Sequence, residues 1–362
     1  MSSISIARDT PVVVTPRLLQ MAGMFDVAIA DKSRETWTPH IDLPETWNIG
    51  LIVGPSGSGK TTIATEIFGD AINKTWNWSV DKSILDDFPA DMSIKEIIML
   101  LSSVGFSSPP SWVRPFRVLS NGEQFRVTIA RTLSEMSDLA VVDEFTSVVD
   151  RNVAQIGSAA VAKTVRRRNQ KFVAVSCHYD IMEWLQPDWI YEPHLDKFYS
   201  GRYLQRPKIE LEIYRVHRDA WRMFRKHHYL DTSIHVAAQC FVATWNKTPV
   251  AFASYLHFPH PKTPNMKREH RTVTLPDYQG VGIGNALSEF VAGRVVATGA
   301  RYLSVTSHPA MIAHRARSSQ WRMIAKPNNK TKSLPRQGLS RQGSGKSSKI
   351  GLRMRATFEY ID

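Results

Sequence analysis

The sequence predicts an α/β protein built from two domains, and three observations carry this prediction. The chain has 362 residues, enough for two ordinary domains that each bury a core. An apolar strand, a glycine-rich turn and a helix follow one another twice, at 51–64 and at 271–298. The charge also changes sign along the chain: residues 1–206 hold 21 Lys and Arg against 24 Asp and Glu (−3), whereas residues 207–362 hold 25 against 9 (+16).

The pattern of apolar residues and cysteines excludes some classes of protein. No window contains 18 consecutive apolar residues, so no membrane span is expected. The start, "MSSISIARDTPVVV", lacks a basic segment followed by a hydrophobic stretch, so no export signal is expected. Cys177 and Cys240 have no metal-binding spacing, and a disulfide framework is not expected. The expected location is therefore the cytoplasm.

The first glycine-rich turn predicts a nucleotide site. "WNIGLIVG" (47–54) has the apolar run of a buried strand, and "KTTIATEIF" (60–68) fits the helix after it. Between them the chain fills the template G-x-x-x-x-G-K-[ST], whose backbone N–H groups wrap around phosphate oxygens. Lys60 would reach the β- and γ-phosphates, and the Thr61 hydroxyl would ligate Mg²⁺. The predicted ATP-binding residues of this turn are Gly54, Gly57, Gly59, Lys60, Thr61 and Thr62.

An acidic pair follows a second apolar strand. "DLAVVDEFTS" (138–147) contains a four-residue apolar run that ends in Asp143 and Glu144. A carboxylate at a strand end beside a phosphate loop fits a Mg²⁺-linked ligand, and its neighbour can orient the attacking water. Asp143 is therefore the predicted metal-linked residue, and Glu144 the predicted catalytic one.

Further segments resemble the motifs of ABC-type ATPases in that family's order. "VLSNGEQFRVTIARTL" (118–133) resembles the signature segment and its Q-x-R helix, "SVVD" (147–150) the D-loop, and "VAVSCHYD" (173–180) the switch strand. The resemblance implies a head-to-tail dimer that holds two ATP molecules. Ser120 and Gly122 of one subunit would complete the ATP site of the other, Glu144 would position water, and His178 would sense the γ-phosphate.

The chain departs from this family at two places. Position 123 is Glu where the signature more often has Gln, and no glutamine occurs between Thr62 and Glu123, where the Q-loop residue is expected. No membrane domain is encoded in these residues. We therefore expect no coupling to a transporter, and hydrolysis that can be slow.

A composition shift at 191–216 places the domain boundary near residue 206. The alternation of strands and helices gives way there to the extended "KIELEI" strand, and the charge changes sign. Residues 1–206 are thus predicted as one domain and 207–362 as the other. The stretch 328–349, rich in Ser, Gly, Lys and Arg without aromatic residues, is predicted as a mobile basic loop within the second domain.

The second glycine-rich turn predicts another anion-binding loop. In "HRTVTLPDYQGVGIGNALSEFVAGRVVATGA" (270–300), a strand at 271–275 leads into the turn and a helix follows from about 285 to 298. Gln279, Gly282 and Gly284 resemble motif A of the GNAT acyltransferases, R/Q-x-x-G-x-G/A. The resemblance implies that backbone amides at 280–285, including Gly280 and Asn285, bind the pyrophosphate of acetyl-CoA or another acyl-CoA. Val273 and Leu275 would hold the pantetheine with their backbone groups. The predicted fold is thus a P-loop ABC-type ATPase domain followed by an α+β GNAT domain.

The acid and base of this second site stay open. Many GNAT members use a tyrosine in the helix after the strand at 301–306, and "HPAMIAHRARSSQW" (308–321) has none. "FRKHHYL" (224–230), at the end of a helix predicted over 218–230, resembles the histidine–tyrosine cluster of Mom-type DNA-modifying enzymes, a GNAT offshoot that acts on adenine. Tyr229 is the first candidate and His228 the second, and the further candidates are Ser307, His308 and His270.

Three functions remain open. The first is ATP-assisted acylation of an amino group on a nucleic-acid base, in tRNA or DNA, with phosphates held by Arg222, Arg225, Lys226 and the 328–349 loop. The second is a protein or small-molecule acetyltransferase that an ABC-like domain regulates. The third is an ATPase clamp whose GNAT-shaped domain binds without catalysing.

Overall fold

A computed structural model of the chain describes residues 5–25, 28–30, 32–72, 75–201, 208–228, 233–259, 263, 265–326 and 355–361. Its strands, in chain order, are β1 (Ile6–Pro11), β2 (Lys32–Trp37), β3 (Ile49–Val53), β4 (Leu139–Val142), β5 (Lys171–Ser176), β6 (Trp189–Glu192), β7 (Lys197–Ser200), β8 (Glu212–Val216), β9 (Gln239–Trp245), β10 (Thr248–His257), β11 (Met266–Thr274), β12 (Arg301–Thr306), β13 (Trp321–Ala325) and β14 (Ala356–Tyr360). Its α-helices are α1 (Pro16–Phe25), α2 (Lys60–Phe68), α3 (Ile94–Ser103), α4 (Pro109–Trp112), α5 (Asn121–Glu135), α6 (Arg151–Arg168), α7 (Met182–Leu185), α8 (Trp221–Phe224), α9 (Ile283–Val296) and α10 (Pro309–Arg315).

The contacts between residues divide the chain into two units. The first contains Met1–Asn77 and Thr128–Pro207, and the second contains Trp78–Val127 and Lys208–Asp362. The second unit therefore includes α3, α4 and the start of α5, which precede most of the first unit's sheet in the chain. The predicted boundary between 206 and 207 stays a prediction.

The first unit is built on a sheet in the order β4-β5-β3-β6-β7. The strands β3 to β6 are parallel to one another, and β7 runs antiparallel to β6. All five residues of β3 are buried, as expected for a central parallel strand with both faces covered. Ile52, Val175 and Trp189 belong to the core cluster around this strand. The carboxyl ends of β4, β5 and β3 consequently meet at one edge of the sheet.

The second unit contains a sheet in the order β13-β14-β12-β11-β10-β9-β8. Its one parallel pair among the described strands is β11 with β12, and the register covers only Met266–Arg268 against Arg301–Leu303. Beyond Arg268 and Leu303 the structure describes no pairing between β11 and β12. The carboxyl half of β11 therefore has no paired strand on the β12 side among the described residues. A β-bulge at His270 shifts the register of β11 against Ser254 and Tyr255 of β10.

The helix predicted over 218–230 is broken. The structure has α8 over Trp221–Phe224, with 3₁₀ turns at Arg218–Ala220 and Arg225–His227. Trp221 and Phe224 are buried against Phe252 of β10. The four residues after Phe224 are all polar, so no apolar side chain extends the buried stripe into a further helical turn.

Two further expectations concern membrane-spanning helices and the basic loop at 328–349. None of the helices within the described ranges has the length and hydropathy needed to cross a bilayer. The predicted basic loop at 328–349 lies outside the described residues.

Candidate functional site

The first glycine-rich turn forms a tight loop between β3 and α2. Gly57 and Gly59 have φ angles of 79° and 82°, in the left-handed region that glycine adopts without strain. A Cβ at Gly59 would lie 2.3 Å from Nε1 of Trp37, so the position has no room for a side chain. The Gly54 N–H donates to the Ser176 carbonyl at 3.4 Å and ties the loop to the end of β5.

The interior of this loop is suited to an anion. Lys60 is buried, and its Nζ donates to the Pro55 carbonyl at 2.8 Å. Helix α2 starts after Gly59 without a side-chain cap, so its first N–H groups face the loop. The Ser58 Oγ is buried and makes no hydrogen bond within the described chain. A triphosphate would supply the acceptors that these groups need, so the residues fit ATP.

The acidic pair lies at the carboxyl end of β4 on an irregular backbone. Glu144 and Thr146 have positive φ angles of 52° and 70°, which is uncommon for residues with a side chain. The Glu144 N–H donates to Oδ1 of Asp143 at 2.8 Å, and the Glu144 side chain is exposed. Such strain is typical of functional sites because the surrounding structure must maintain it.

His178 follows β5 beside the same sheet edge. Its N–H donates to Ser176 Oγ at 3.1 Å, and this hydroxyl donates to the Phe145 carbonyl at 3.0 Å. The Phe145 N–H in turn donates to the Val175 carbonyl at 2.9 Å. The Nδ1 of His178 is buried and has no hydrogen-bond partner among the described residues. The structure thus brings the phosphate loop, the acidic pair and His178 together at one edge.

The signature residues lie at the start of α5, in the second unit. The Ser120 N–H and Oγ donate to Oε2 of Glu123 at 2.9 and 3.1 Å, and Ser111 Oγ donates to its Oε1 at 2.7 Å. A carboxylate in the first turn also interacts favourably with the helix dipole. These contacts explain physically how a glutamate is accommodated at position 123. Gly122 is buried beside them.

The second glycine-rich turn has the geometry of an anion loop. Gly280 and Gly282 have φ angles of 92° and 100°. Helix α9 begins after Gly282 without a side-chain cap, so its first N–H groups face the turn. The Oδ1 of Asn285 is buried and has no hydrogen-bond partner in the described part of the chain. A Cβ at Gly284 would lie 2.6 Å from Thr274 Oγ1, so glycine here allows α9 to approach β11. These residues fit the pyrophosphate of acyl-CoA.

The other residues predicted to bind acyl-CoA already contact the protein. Gln279 is buried; its Oε1 accepts from the Ser107 N–H at 2.6 Å, and its Nε2 donates to the Thr274 carbonyl at 2.9 Å. The Val273 side chain belongs to the core cluster with Trp221. The Leu275 N–H donates to the Val250 carbonyl at 2.9 Å. That these three residues bind acyl-CoA stays a prediction. It depends on those of their backbone groups that take no part in the contacts above.

The predicted acid–base residues lie near a group of histidines. His228 is half-buried, with its ring 5.5 Å from that of Trp221. The His235 N–H donates to Nε2 of His270, the bulge residue of β11, at 3.3 Å. No cluster of three or more His, Cys, Asp or Glu side chains that could hold a metal occurs among the described residues. Tyr229, the first candidate, lies outside the described residues.

The contacts of His308 are those of a residue that supports the fold. Its Nε2 donates to the Ser107 carbonyl at 3.3 Å, and its ring is 6.4 Å from that of Trp112. Burial lowers the pKa of His308, and the hydrogen bond to Ser107 opposes this change. Ser307 is half-buried beside it.

A buried polar network beside the site was missed by the sequence analysis. Glu269 of β11 accepts hydrogen bonds from Ser288, Ser304 and Arg315. Arg315 is 1% exposed, and its guanidinium lies 4.2 Å from the centre of the Trp321 ring. This network holds β11, β12, α9 and α10 together where β11 and β12 part. No local pattern marks these residues, because each lies on a different element.

Acidification is expected to destabilise the folded protein already at pH values above those at which carboxylates become protonated. Burial, together with the positive charge of Arg271, lowers the pKa of His270 from 6.5 to about 4. Because this histidine binds a proton in the unfolded chain before it does in the folded one, stability is complete above about pH 6.5 and falls as the pH decreases towards 4. Thermal unfolding from pH 7.5 to 4.5 measures this loss. His270→Gln should make it shallower, and an equal slope in both proteins would contradict the assignment.

Two sequence comparisons each match a part of the chain. Residues 179–316 match the model of the acetyltransferase (GNAT) family. Over 156 residues, 41% of the chain, the sequence is 28% identical to Elongation factor 3 of Gonapodya prolifera, and it spans 13% of the length of that relative.

Two solved structures each align with less than half of the chain. The dimeric post-hydrolysis structure of the ATP-binding cassette MJ0796, bound to ADP and Pi, aligns with 46% of this chain and 92% of its own at 17% identity, with a TM-score of 0.36. A GNAT-family acetyltransferase structure from Desulfovibrio desulfuricans aligns with 41% of this chain and 98% of its own at 14% identity, with a TM-score of 0.31. The mixed α/β architecture agrees with the predicted fold class, and the family match at 179–316 agrees with the predicted GNAT-like C-terminal part. The match of residues 179–316 to the acetyltransferase family also supports enzymatic activity.

Proposed function

We propose, on the premise that the C-terminal part contains a GNAT acetyltransferase domain, that this protein is an ATP-binding acyltransferase acting on an amino group of a nucleic-acid base. The observation that carries the proposal is the second anion loop, in which Gly280 and Gly282 turn the backbone into the start of α9. The buried, unpartnered Oδ1 of Asn285 supports a ligand at this loop, since buried polar groups are normally satisfied.

The transfer requires an activated acyl group and a place for one proton. Acyl-CoA supplies the acyl group as a thioester; the amine nitrogen attacks the carbonyl carbon, the C–S bond breaks, and the amine proton goes to a base while the thiolate gains a proton. Backbone amides around 280–285 would bind the pyrophosphate. His228 and Tyr229 are the proposed proton carriers. The ring of His228 is half-buried and lies 5.5 Å from that of Trp221.

The ATP site would power or time this transfer. The loop at 54–60 would bind the triphosphate, and Thr61 and Asp143 would ligate Mg²⁺. Two chains would associate head to tail, with Ser120 and Gly122 of each completing the site of the other. Glu144 would then position the attacking water, and His178 would contact the γ-phosphate.

The charge of the second half supports a polyanionic substrate. Residues 207–362 carry 25 Lys and Arg against 9 Asp and Glu. Arg222 on α8, and Arg225 and Lys226 in the 3₁₀ turn after it, are exposed and closely precede His228, so cations adjoin the proposed acid–base residue. A base within a duplex must leave the stack to be modified, and distortion driven by ATP could assist this step.

The salt dependence of binding tests the substrate class. The slope of log affinity against log salt should become shallower by about 2.7 in Arg222→Gln/Arg225→Gln/Lys226→Gln, since each phosphate contact contributes about 0.9 on duplex DNA. Lys163→Gln/Lys171→Gln/Lys197→Gln, which removes three exposed lysines of the first unit, is the matched control and should keep the wild-type slope. Absent or salt-insensitive binding to both tRNA and DNA would refute a nucleic-acid substrate.

The reaction product tests the activity itself. Purified protein with acetyl-CoA and ATP is incubated with tRNA, DNA or peptides, and nucleosides and peptides are analysed by mass spectrometry. An acylated nucleoside is the expected product. Turnover on peptides or amines without nucleic acid would favour the regulated protein or small-molecule acetyltransferase instead. Binding of acetyl-CoA without any turnover would favour the non-catalytic clamp.

A further inference from the structure

The start of the signature helix contacts the acyl-CoA loop within the second unit. Arg126, three residues after Glu123 on α5, is 1% exposed. Its Nη2 donates to the Asp277 carbonyl at 2.9 Å, and its Nη1 lies 3.8 Å from the Asp277 carboxylate. Asp277 belongs to the 3₁₀ turn Pro276–Tyr278, which leads directly into Gln279 and the anion loop. A buried cation on the ATPase signature helix therefore holds the entrance of the acyl-CoA loop.

A second contact reaches the same loop from the segment after α3. The Ser107 N–H donates to the Gln279 side chain at 2.6 Å. Gly105, with a φ of 89°, passes so close that a Cβ there would lie 2.7 Å from the Gln279 carbonyl oxygen. The Ser107 carbonyl also accepts a hydrogen bond from His308, before α10. Residues 105–107 thus fix both Gln279 and the start of the helix that follows β12.

The contacts continue to the signature residues. Glu123 is buried and binds Ser120 and Ser111 through its two carboxylate oxygens. Glu123 and Arg126 are three residues apart on α5, so they lie on neighbouring parts of one helix face. Burial, together with the positive charge of Lys226, lowers the pKa of His227, and the negative charges of Glu123 and Asp277 oppose this change. His227 directly precedes the acid–base candidate His228.

We propose that Arg126 is a positioning residue for the acyl-CoA loop, and that the signature helix thereby couples the nucleotide state to acyl-CoA binding. This inference rests on the proposed function. When Ser120 and Gly122 contact ATP held by a second copy of this chain, α5 is fixed at its first turn, and Arg126 transmits this constraint to Asp277. By reciprocity, acyl-CoA must change the affinity for ATP by the same factor as ATP changes that for acyl-CoA.

The burial of Arg126 argues for a role beyond packing. A buried guanidinium loses its hydration, and apolar side chains of similar volume often stabilise a fold as well or better. The directional contacts with Asp277 instead define one position of the 276–278 turn. A small movement of α5 therefore changes the geometry of the loop rather than only its packing.

The test is the dissociation constant of acetyl-CoA, measured by calorimetry with and without a non-hydrolysable ATP analogue. In the wild-type protein we expect the analogue to change this constant by about 5–150-fold, the usual range of coupling between sites. Arg126→Gln should reduce this change to less than about twofold, with Arg126→Lys intermediate, while leaving the affinity for the analogue alone unchanged. Arg131→Gln is the matched control: Arg131 lies on the same helix but donates to the Asn77 carbonyl, so the coupling should persist.

A kinetic readout separates positioning from general loss of structure. Arg126→Gln should raise the KM for acetyl-CoA more than it lowers kcat, with thermal unfolding still cooperative. If this variant fails to fold, Gly105→Ala perturbs the same loop through the Gln279 carbonyl and should also weaken the coupling.

The outcomes distinguish this inference from the function on which it rests. Wild-type protein that binds acetyl-CoA with the same affinity at every nucleotide state would refute the coupling and leave the acyltransferase proposal intact. Unchanged coupling in Arg126→Gln would refute the role of Arg126. No acetyl-CoA binding by wild-type protein would refute the proposed function and this inference together.

Discussion

Glu144→Gln is expected to slow ATP hydrolysis by roughly 10²–10⁴-fold, the usual contribution of a positioned acid or base. The substitution keeps the size of the side chain and removes the carboxylate that would orient the attacking water. The substitution does not alter the phosphate loop, because Lys60 and the start of α2 follow β3 whereas Glu144 follows β4. ATP should therefore still bind, and the ATP-bound head-to-tail dimer should accumulate.

Light scattering after size exclusion, with and without ATP, measures this dimer, and phosphate release measures hydrolysis. Glu183→Gln is the matched control, since Glu183 is an exposed glutamate on α7 of the same unit. It should hydrolyse ATP at the wild-type rate. A Glu144→Gln protein that remains monomeric at saturating ATP would contradict the head-to-tail dimer, whatever its hydrolysis rate.

The elements that carry the two anion loops were predictable because their signals are local. The strand 47–54 and helix 60–68 correspond to β3 and α2, and the strand 271–275 and helix 285–298 to β11 and α9. In each case, apolar runs flank glycines whose positive φ angles the turn requires. Short-range sequence therefore determined both the position and the type of these elements.

The grouping of segments could not be predicted in this way. Arg126 and Asp277 are 151 residues apart in the chain, and Ser107 and Gln279 are 172 apart. Neither pair produces a periodic pattern, so nothing in the sequence indicates that residues 78–127 belong with the C-terminal unit. The role of Gln279 illustrates the consequence: the motif predicts a ligand contact, and the structure shows its side-chain amide bonded to Ser107 and Thr274.

The helix at 218–230 was predicted too long for a related reason. Trp221 and Phe224 have the three-residue spacing of a buried helical face, and the structure buries both. Helix continuation depends on tertiary packing beyond them, and residues 225–228 offer only cations and histidines. The candidate substrate side of the second unit consists of this irregular segment, which is why sequence reasoning identified its residues more readily than their geometry.

Replacing Gly282 or Gly284 by valine is expected to weaken acyl-CoA binding by at least about tenfold while sparing ATP binding. Gly282 has a φ of 100°, which a β-branched residue adopts only with strain. At Gly284 the new Cβ would lie 2.6 Å from Thr274 Oγ1, so α9 would have to move away from β11. Either change displaces the N–H groups that would bind the pyrophosphate. Each hydrogen bond to a charged group contributes about 1.5–3 kcal/mol, so losing one lowers the affinity by about 10–150-fold.

Gly293→Ala provides the control, because it adds a methyl group to α9 at a position outside the glycine-rich turn. The new Cβ would meet the Tyr360 hydroxyl at 3.6 Å, an ordinary contact. Alanine also favours a helix over glycine by about 1 kcal/mol, so this variant should bind acetyl-CoA and unfold at the same or a higher temperature. Calorimetry with acetyl-CoA and with ATP analogue on each variant separates the two sites. Equal loss of both ligands in Gly282→Val would mean that the two loops are not independent sites, and undiminished acetyl-CoA binding would mean that the pyrophosphate lies elsewhere.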